Sequence, residues 1–191
     1  MKSKLAKKYA KDIFCLEGDW LEDLREKPSI YATLAFLETN RQINNIYRHC
    51  GTKETLFYYL SRWKLKKYNN YSILYFAFHG FEGQIQIGKD DVTLEEISDK
   101  LENKCKDKVI FFGSCLVMTA EPSRIKDFLV KTGALCVCGY KESVDFVTSS
   151  AFEMLVLDLF QQYKDISCVQ RDINLYYAAL AKKLDFKIYS I

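Results

Sequence analysis

Two residues, His79 and Cys115, have the chemical types and the positions needed for nucleophilic catalysis by a thiol. The chain has seven cysteines but only two histidines. His79 and Cys115 each lie at the end of an apolar, β-rich run, at 71–78 and at 108–113. A thiolate is the reactive form of cysteine, and a neighbouring imidazole can keep the thiol ionised and later protonate a leaving amine. The two residues therefore predict a Cys–His dyad.

Small residues surround both members of this predicted dyad. Gly80 follows the histidine, and Gly113 and Ser114 precede the cysteine. Small residues leave room for a substrate backbone to approach the thiol. We expect the backbone N–H groups of Gly80 and Cys115 to stabilise the oxyanion that forms when the thiolate attacks a carbonyl.

The elements that must position these residues alternate between strands and helices. Short apolar runs predict six strands, at 12–16, 43–47, 71–78, 108–113, 134–139 and 186–191, and residues 84–88 alternate like a hairpin arm. Amphipathic stretches predict helices at 29–38, 52–66, 93–103, 122–133, 143–163 and 167–184. This order predicts an α/β fold, a three-layer α/β/α sandwich around a mostly parallel six-stranded sheet.

The functional edge of such a sheet lies beyond the carboxyl ends of its strands. His79 and Cys115 end two long strands that are adjacent in chain order and joined by one helix. If those strands pair, their ends lie about 5 Å apart. We therefore expect the histidine and the cysteine to stand side by side at this edge.

Other combinations of histidine and cysteine fit a reactive site less well. His49 and Cys50 are adjacent on a predicted strand, so their side chains point to opposite faces. Cys136 and Cys138 share one face of a strand, but no second cysteine or histidine cluster completes four zinc ligands. We expect no metal site and no cofactor, and we interpret the cysteines other than Cys115 as packing residues.

The two strand ends resemble those of the clan CD cysteine peptidases, which include caspases, metacaspases, legumain, gingipains, separase and the CHAT domains. The segments read Phe-Ala-Phe-His-Gly at 76–80 and Val-Ile-Phe-Phe-Gly-Ser-Cys at 109–115, and they look most like the CHAT and bacterial caspase-like branch. The resemblance covers residues 12–140. It implies a caspase-like sheet, Cys115 as nucleophile, His79 as general acid and base, and peptide-bond cleavage through an acyl-enzyme.

The resemblance leaves the cleavage preference open. Some members of the clan carry an aspartate two positions before the nucleophile, where this sequence has Gly113, and the Gln-Ala-Cys-Arg-Gly signature of caspases is absent. Glu142 and Asp145, after the fifth strand, are candidates to line a substrate pocket for lysine or arginine, together with Ser114. The alternative role of the two acids is a helix start, where carboxylates suit the helix dipole. We also expect residues 16–20 to shape the cleft.

Length and composition are those of a globular protein with one domain. The 191 residues fit one domain of ordinary size, and we take 1–191 as a single caspase-like, CHAT-like peptidase domain. A net charge of +3 favours neither nucleic acid nor a membrane surface as partner. No apolar run reaches the ~20 residues that cross a bilayer. The N-terminus lacks a secretory signal, and the cysteines are irregularly spaced, so we expect a cytoplasmic protein.

The sequence thus predicts a cytoplasmic cysteine endopeptidase that cleaves a partner protein in regulated proteolysis or bacterial defence. Its expected partners are a protein or peptide substrate and a separate sensor or target protein. A homodimer through the apolar C-terminal strand at 186–191 is a further option. Two other functions stay open, a catalytically silent caspase-like interaction module and a nucleotide-sensing α/β domain. The nucleotide hypothesis is the weaker one, because no glycine-rich phosphate loop follows the first strand.

Overall fold

A mixed six-stranded sheet lies at the centre of the computed structural model, which describes residues 9–191 except 22, 24, 26 and 27. The strands are β1 (Ile13–Glu17), β2 (Asn45–His49), β3 (Ile73–Ala77), β4 (His79–Phe81), β5 (Gln84–Ile87), β6 (Asp90–Thr93), β7 (Val109–Phe112), β8 (Cys136–Tyr140) and β9 (Phe186–Tyr189). The large sheet has the order β2-β1-β3-β7-β8-β9. Its first five strands are parallel, and the edge strand β9 is antiparallel to β8.

Helices cover both faces of this sheet. They are α1 (Tyr31–Arg41), α2 (Lys53–Trp63), α3 (Leu94–Leu101), α4 (Pro122–Thr132), α5 (Phe146–Phe160), α6 (Ile166–Tyr176) and α7 (Ala178–Lys183). One core contains buried residues of α2, α3 and α4, and a second core contains those of α1, α5 and α6. The predicted α/β/α sandwich is therefore confirmed. None of the helices within the described ranges is long and apolar enough to cross a membrane.

The central strands are apolar at nearly every position because each face of the sheet packs against helices. In β1, Phe14 and Leu16 join the core of α2, α3 and α4. Ile13 and Cys15 alternate with them and join the opposite core. This period-two alternation puts consecutive side chains on opposite faces.

Several helix ends follow local signals in the sequence. Thr52 caps α2 by accepting a hydrogen bond from the Thr55 N–H, and Thr93 forms a capping box with Glu96 at the start of α3. Pro122 opens α4. Gly133 ends α4 with a φ of 70°, in the left-handed region that glycine adopts without strain.

Two predicted elements differ from the observed ones. The strand expected at 71–78 ends at Ala77, and His79 begins β4, the first strand of a small antiparallel β4-β5-β6 sheet. The long helix expected at 167–184 is divided into α6 and α7. Tyr177, at the break, has a non-helical φ of −130° and packs its ring against the core. The helix is thus interrupted at the residue whose aromatic side chain contacts the core.

Candidate functional site

A cavity of about 420 Å³ opens where β1, β3, β7 and β8 end, at the carboxyl edge of the parallel strands. Both predicted catalytic residues, His79 and Cys115, line it. Trp20 and Leu21 also line it, so the segment after β1 reaches the cavity as the sequence predicts. The position agrees with the general rule that α/β sheets bind ligands at this edge.

The pairing of β3 with β7 brings the two catalytic candidates to the same level of the sheet. Phe76 lies opposite Phe112, and the Gly113 N–H donates to the Phe76 carbonyl at 2.8 Å. His79 and Cys115 each come three residues after this pair. The sheet therefore delivers an imidazole and a thiol from neighbouring strands to one cavity.

The thiol of Cys115 is half-buried and touches the loop after β8. The Val144 N–H donates to Sγ at 3.3 Å, and the Ser143 hydroxyl lies 4.0 Å from the same atom. The Val144 carbonyl oxygen lies 3.9 Å from the same sulfur, where it can accept a hydrogen bond from the thiol. The loop after β8 thus contacts the sulfur of the candidate nucleophile through both backbone groups of Val144.

The backbone turns sharply directly after the candidate nucleophile. Leu116 has a φ of 59° and a ψ of −4°, a left-handed conformation that is strained for a residue with a side chain. Its N–H donates to the Glu142 carbonyl at 3.3 Å. Among the described residues, the N–H of Cys115 has no hydrogen-bond acceptor, so it is available to a ligand. Strain of this kind accumulates at functional sites.

The ring of His79 is exposed and oriented by Trp20. Its Nε2 lies 2.6 Å from the Trp20 carbonyl, and the two rings meet edge-on with centroids 5.4 Å apart. A carbonyl only accepts hydrogen bonds, so Nε2 carries a proton and Nδ1 keeps the lone pair of the neutral ring. No hydrogen bond joins His79 to Cys115 in the described part of the chain. Nδ1 is therefore the nitrogen that can take up a proton.

A buried carboxylate, Glu17, fixes the segment that carries Trp20. Glu17 ends β1, is 1% exposed and accepts hydrogen bonds from four donors. They are Trp20 Nε1 at 2.7 Å, the hydroxyls of Ser29 and Tyr47 at 2.6 Å each, and the Ile30 N–H at 2.9 Å. The carbonyl that orients His79 thus belongs to a residue held by Glu17. Sequence reasoning missed this role, although an acid that ends an apolar strand is its signal.

The substitution Glu17→Gln is expected to destabilise the protein by about 2 kcal/mol. The reason is that the four donors bind two carboxylate oxygens in the wild type, whereas the glutamine amide has a single acceptor oxygen. Thermal or denaturant unfolding measures this loss. Glu54→Gln is the matched control, since Glu54 lies in the first turn of α2 and is fully exposed. Equal unfolding curves for Glu17→Gln and the wild type would show that the carboxylate does not hold the segment.

Gly80 lies against the backbone of the candidate nucleophile. A Cβ atom at this position would collide with the Cys115 carbonyl oxygen and would lie 2.8 Å from both Ser114 Cβ and Val117 Cγ2. The start of β4 and the loop after β7 therefore approach each other more closely than a residue with a Cβ atom at position 80 would allow. This contact places the predicted oxyanion residues Gly80 and Cys115 next to each other.

The substitution Gly80→Ala is expected to cost about 1–3 kcal/mol of stability, because the obstructing atom is backbone and cannot rotate away. It should also separate β4 from the Cys115 loop and lower any activity of the site. Thermal unfolding measures the first effect. Gly51→Ala serves as control, since the nearest atom to its Cβ is 3.7 Å away. An unchanged melting temperature for Gly80→Ala would contradict the close approach.

The residues predicted to line a substrate pocket lie elsewhere. Ser114 is fully buried, and its hydroxyl accepts a hydrogen bond from the Phe78 N–H at 3.3 Å, which ties the ends of β3 and β7 together. Asp145 caps α5 through the Thr148 N–H and hydroxyl, and these hydrogen bonds lower the pKa of its carboxyl. Glu142 is exposed. The cavity is lined by none of the three, and the helix-start role fits Asp145.

Among the described residues, the acidic residue in the cavity wall is Glu153 of α5. It is 1% exposed and accepts hydrogen bonds from the hydroxyls of Tyr75 at 2.6 Å and Tyr140 at 3.0 Å. Burial raises the pKa of its carboxyl to about 7, and the two hydroxyl donors lower it only in part. Sequence reasoning missed Glu153. Its signal is position, because it falls on the same helical face as the buried Val156 and Phe160.

The other cysteines differ from Cys115 in exposure. All seven are free, and only Cys115 and Cys168 are half-buried, while the others are buried. Burial raises the pKa values of the Cys50, Cys105 and Cys136 thiols to about 12. The described residues contain no group of three or more His, Cys, Asp or Glu side chains arranged to hold a metal ion. Cys115 and Cys168 are thus the two accessible thiols.

The second histidine belongs to a surface contact. His49 Nε2 lies 2.9 Å from the Asp19 carboxylate, and both side chains are largely exposed. Its neighbour Cys50 is buried in the opposite direction, in the core of α2, α3 and α4. The adjacent residues His49 and Cys50 therefore do not form a dyad.

Comparison with known proteins places this fold and cavity in a family. No curated protein matches the sequence. The model of a family described as "Family of unknown function (DUF6642)" matches residues 10–190. The match extends over every strand and helix described above and over all the residues that line the cavity. The chain belongs to the DUF6642 family.

Proposed function

We propose that the protein is a cysteine endopeptidase of the clan CD type, with Cys115 as nucleophile and His79 as general acid and base. One observation carries the proposal. The register of β3 and β7 brings these two residues from neighbouring strand ends to the wall of one cavity. The resemblance of residues 76–80 and 109–115 to clan CD strand ends supports the same assignment.

The reaction uses only groups that the cavity edge provides, together with water. The Cys115 thiol transfers its proton to His79 Nδ1, and Sγ attacks the substrate carbonyl carbon. The resulting oxyanion accepts a hydrogen bond from the free N–H of Cys115. As the peptide C–N bond breaks, the imidazolium returns the proton to the leaving amine and a thioester remains. Water, deprotonated by His79, then hydrolyses the thioester and restores the thiol.

The hydrogen bond from His79 to the Trp20 carbonyl suits this cycle. It fixes the ring and holds the proton on Nε2, so that Nδ1 accepts and donates the proton that moves. The positive charge of the imidazolium is stabilised by the same carbonyl oxygen. Trp20 is thus a positioning residue for the base.

The proposed setting is the cytoplasm, where the substrate is a partner protein or a peptide segment of it. Seven free cysteines, five of them buried, suit a reducing compartment. Cleavage would serve regulated proteolysis or bacterial defence, and a separate protein would act as sensor or target. The cavity supports a protein substrate in one respect, since its edge is open next to the exposed His79 and Ser143.

A catalytically silent interaction module is the second candidate function. It is favoured by one observation. The sulfur of Cys115 is hydrogen-bonded to the Val144 N–H, and Nε2 of His79 is hydrogen-bonded to the Trp20 carbonyl, instead of the two side chains being bonded to each other. A nucleotide site has less support, because no lysine or arginine is among the described residues that line the cavity. Phosphate groups are usually met by such cations or by a glycine-rich loop.

Hydrolysis of unfolded casein tests the proposal. The wild-type protein, Cys115→Ala and Cys168→Ala are each incubated with casein, and new peptide termini are identified by mass spectrometry. We expect new termini with the wild type and with Cys168→Ala, and none with Cys115→Ala. The proposal fails if the wild type produces no cleavage or if Cys115→Ala produces the same termini.

A further inference from the structure

We propose that the outer edge of β2 binds an extended acidic segment of a partner protein, which adds to the large sheet as a further strand. No residue of β2, all of which the structure describes, lines the cavity that holds Cys115 and His79. The inference therefore goes beyond the proposed function and does not depend on it.

The outer side of β2 has backbone groups available for another strand. Among the described strands, β2 pairs only with β1. The Cys50 N–H donates to the Glu17 carbonyl at 2.7 Å, which shows that the even-numbered residues of β2 direct their backbone groups to β1. The residues between them in a parallel ladder direct their N–H and C=O groups away from β1. The outward-facing residues are Asn45, Tyr47 and His49.

The guanidinium of Arg48 lies at this open edge. Its Nη1 donates to the Tyr47 carbonyl at 2.8 Å, which is one of the outward-facing groups. Arg48 is exposed and has no carboxylate partner among the described residues. A carbonyl oxygen has a second lone pair and a guanidinium has four further N–H donors, so both keep capacity for an added strand. An acidic side chain on that strand would pair with Arg48.

A cavity of about 210 Å³ lies between β2 and α2, next to the same edge. Ile46 and Arg48 of β2 and Arg62 of α2 line it, and its remaining described wall is aromatic, with Phe14, Tyr58, Tyr59 and Tyr68. Small-molecule sites usually have volumes of about 300–1,000 Å³. This cavity is smaller, and its volume suits one side chain of a peptide that lies along β2.

The charge around this cavity favours an acidic side chain. Arg48 and Arg62 line it, and no Asp or Glu does so among the described residues. Two further exposed cations, Lys66 and Lys67, follow α2, and Lys67 Nζ lies 5.0 Å from the centre of the Tyr68 ring. Guanidinium groups bind carboxylates through paired, charge-assisted hydrogen bonds. A Glu or Asp side chain in this cavity would therefore be stabilised by both arginines.

The opposite face of the edge is apolar. Tyr31 of α1 and Tyr47 of β2 meet edge-on with ring centroids 5.2 Å apart, and Tyr31 is 54% exposed. Successive side chains of a strand point to opposite faces. The residues between the acidic ones would therefore contact these two rings. The surface thus fits a segment in which acidic and apolar residues alternate.

The binding of a fluorescent peptide that alternates Glu and Val tests the inference. Its dissociation constant is measured by fluorescence anisotropy, beside that of a peptide of the same composition with its Glu residues in one block. We expect the alternating peptide to bind at least about 10-fold more tightly, because only it directs every carboxylate to the face of Arg48 and Arg62. Equal affinities for the two peptides, or no binding of the alternating one, would overturn the proposal.

Arg48→Gln and Arg62→Gln are each expected to weaken binding of the alternating peptide about 10-fold. Both side chains are exposed, so neither substitution removes a core contact. Lys126→Gln is the matched control, since it removes one positive charge from an exposed position on α4. Unchanged affinity in both arginine variants, or an equal loss in Lys126→Gln, would contradict the assignment of the cavity between β2 and α2.

Amide hydrogen exchange distinguishes strand addition from attraction between charges alone. We expect the bound peptide to slow exchange of N–H groups that face outward on β2, at residues 45, 47 and 49, because these groups would donate to the added strand. A peptide that binds without slowing exchange at any of the three would contradict strand addition.

Two other occupants are outcomes of the same experiment. A single-stranded oligonucleotide that binds more tightly than the peptide, and loses affinity in the same arginine variants, would replace the acidic segment by a nucleic acid. Self-association that Arg48→Gln abolishes, measured by analytical ultracentrifugation, would replace it by a second copy of the chain. We expect neither result.

Discussion

Replacement of Cys115 by alanine is expected to lower kcat for peptide hydrolysis by at least about 10³-fold, because the reaction then lacks its nucleophile. Replacement of His79 by alanine should have a similar effect, since neither residue completes the cycle without the other. The two losses should not add in the double variant, because residues that act as a unit show strongly non-additive effects. The measurement is kcat for one peptide with each single variant and with the double variant.

The stability of these variants is the necessary control. Cys115 is half-buried and His79 is exposed, so neither substitution removes a core contact. We expect melting temperatures close to that of the wild type. Cys168→Ala removes the other half-buried thiol and should keep full activity. Loss of activity in Cys168→Ala, or retention of activity in Cys115→Ala, would contradict the assignment of the nucleophile.

The substitution Glu153→Gln is expected to remove a large pH dependence of folding. The folded-state pKa of Glu153 is about 7, whereas its ordinary value is 4.5. The folded protein therefore binds a proton more tightly than the unfolded chain, and the free energy of unfolding falls as the pH rises from 4.5 to 7. The fall is about 3 kcal/mol, at about 1.4 kcal/mol for each pKa unit. Glutamine cannot ionise, so the variant lacks this slope.

The four described groups whose pKa values Glu153 affects do not titrate in this window. Burial raises the pKa values of Tyr75, Tyr140, Cys15 and Cys138 well above their ordinary values, and the neighbouring Glu153 contributes to each rise. Denaturant unfolding at pH 5 and pH 8 measures the effect. The difference between wild type and Glu153→Gln isolates Glu153 from every other titrating group. Parallel pH profiles for the two proteins would show that the carboxyl is not held in its neutral form by burial.

The catalytic candidates could be predicted from the sequence because local patterns determine their placement. The apolar runs before His79 and Cys115 are dictated by burial on both faces of the sheet, and parallel pairing then brings the strand ends to one edge. The order of the remaining strands and helices follows from the same alternation. The break at Tyr177 departed from it, as did the small β4-β5-β6 sheet, of which the sequence predicted only the arm at 84–88.

The acidic residue of the cavity could not be predicted in the same way. Glu142 and Asp145 were candidates because they follow a strand end, but their side chains are exposed and do not line the cavity, although Ser143 and Val144 of the same loop do. Glu153 reaches the cavity because α5 packs across the ends of β3 and β8, where Tyr75 and Tyr140 meet its carboxyl. Tyr75 is 78 positions from Glu153 in the sequence, and Tyr140 is 13 positions from it. These contacts depend on tertiary packing and have no short sequence motif.

The rate at which iodoacetamide alkylates Cys115 at pH 7, with and without His79, tests the central claim most directly. The protein is used as Cys168→Ser, so that Cys115 is the one half-exposed thiol among the described residues, and labelled peptides are quantified by mass spectrometry. A thiol that His79 helps to ionise should react at least about 10-fold faster in the parent than in the His79→Ala variant. Equal rates in the two proteins, or no labelling of Cys115 in either, would contradict the dyad.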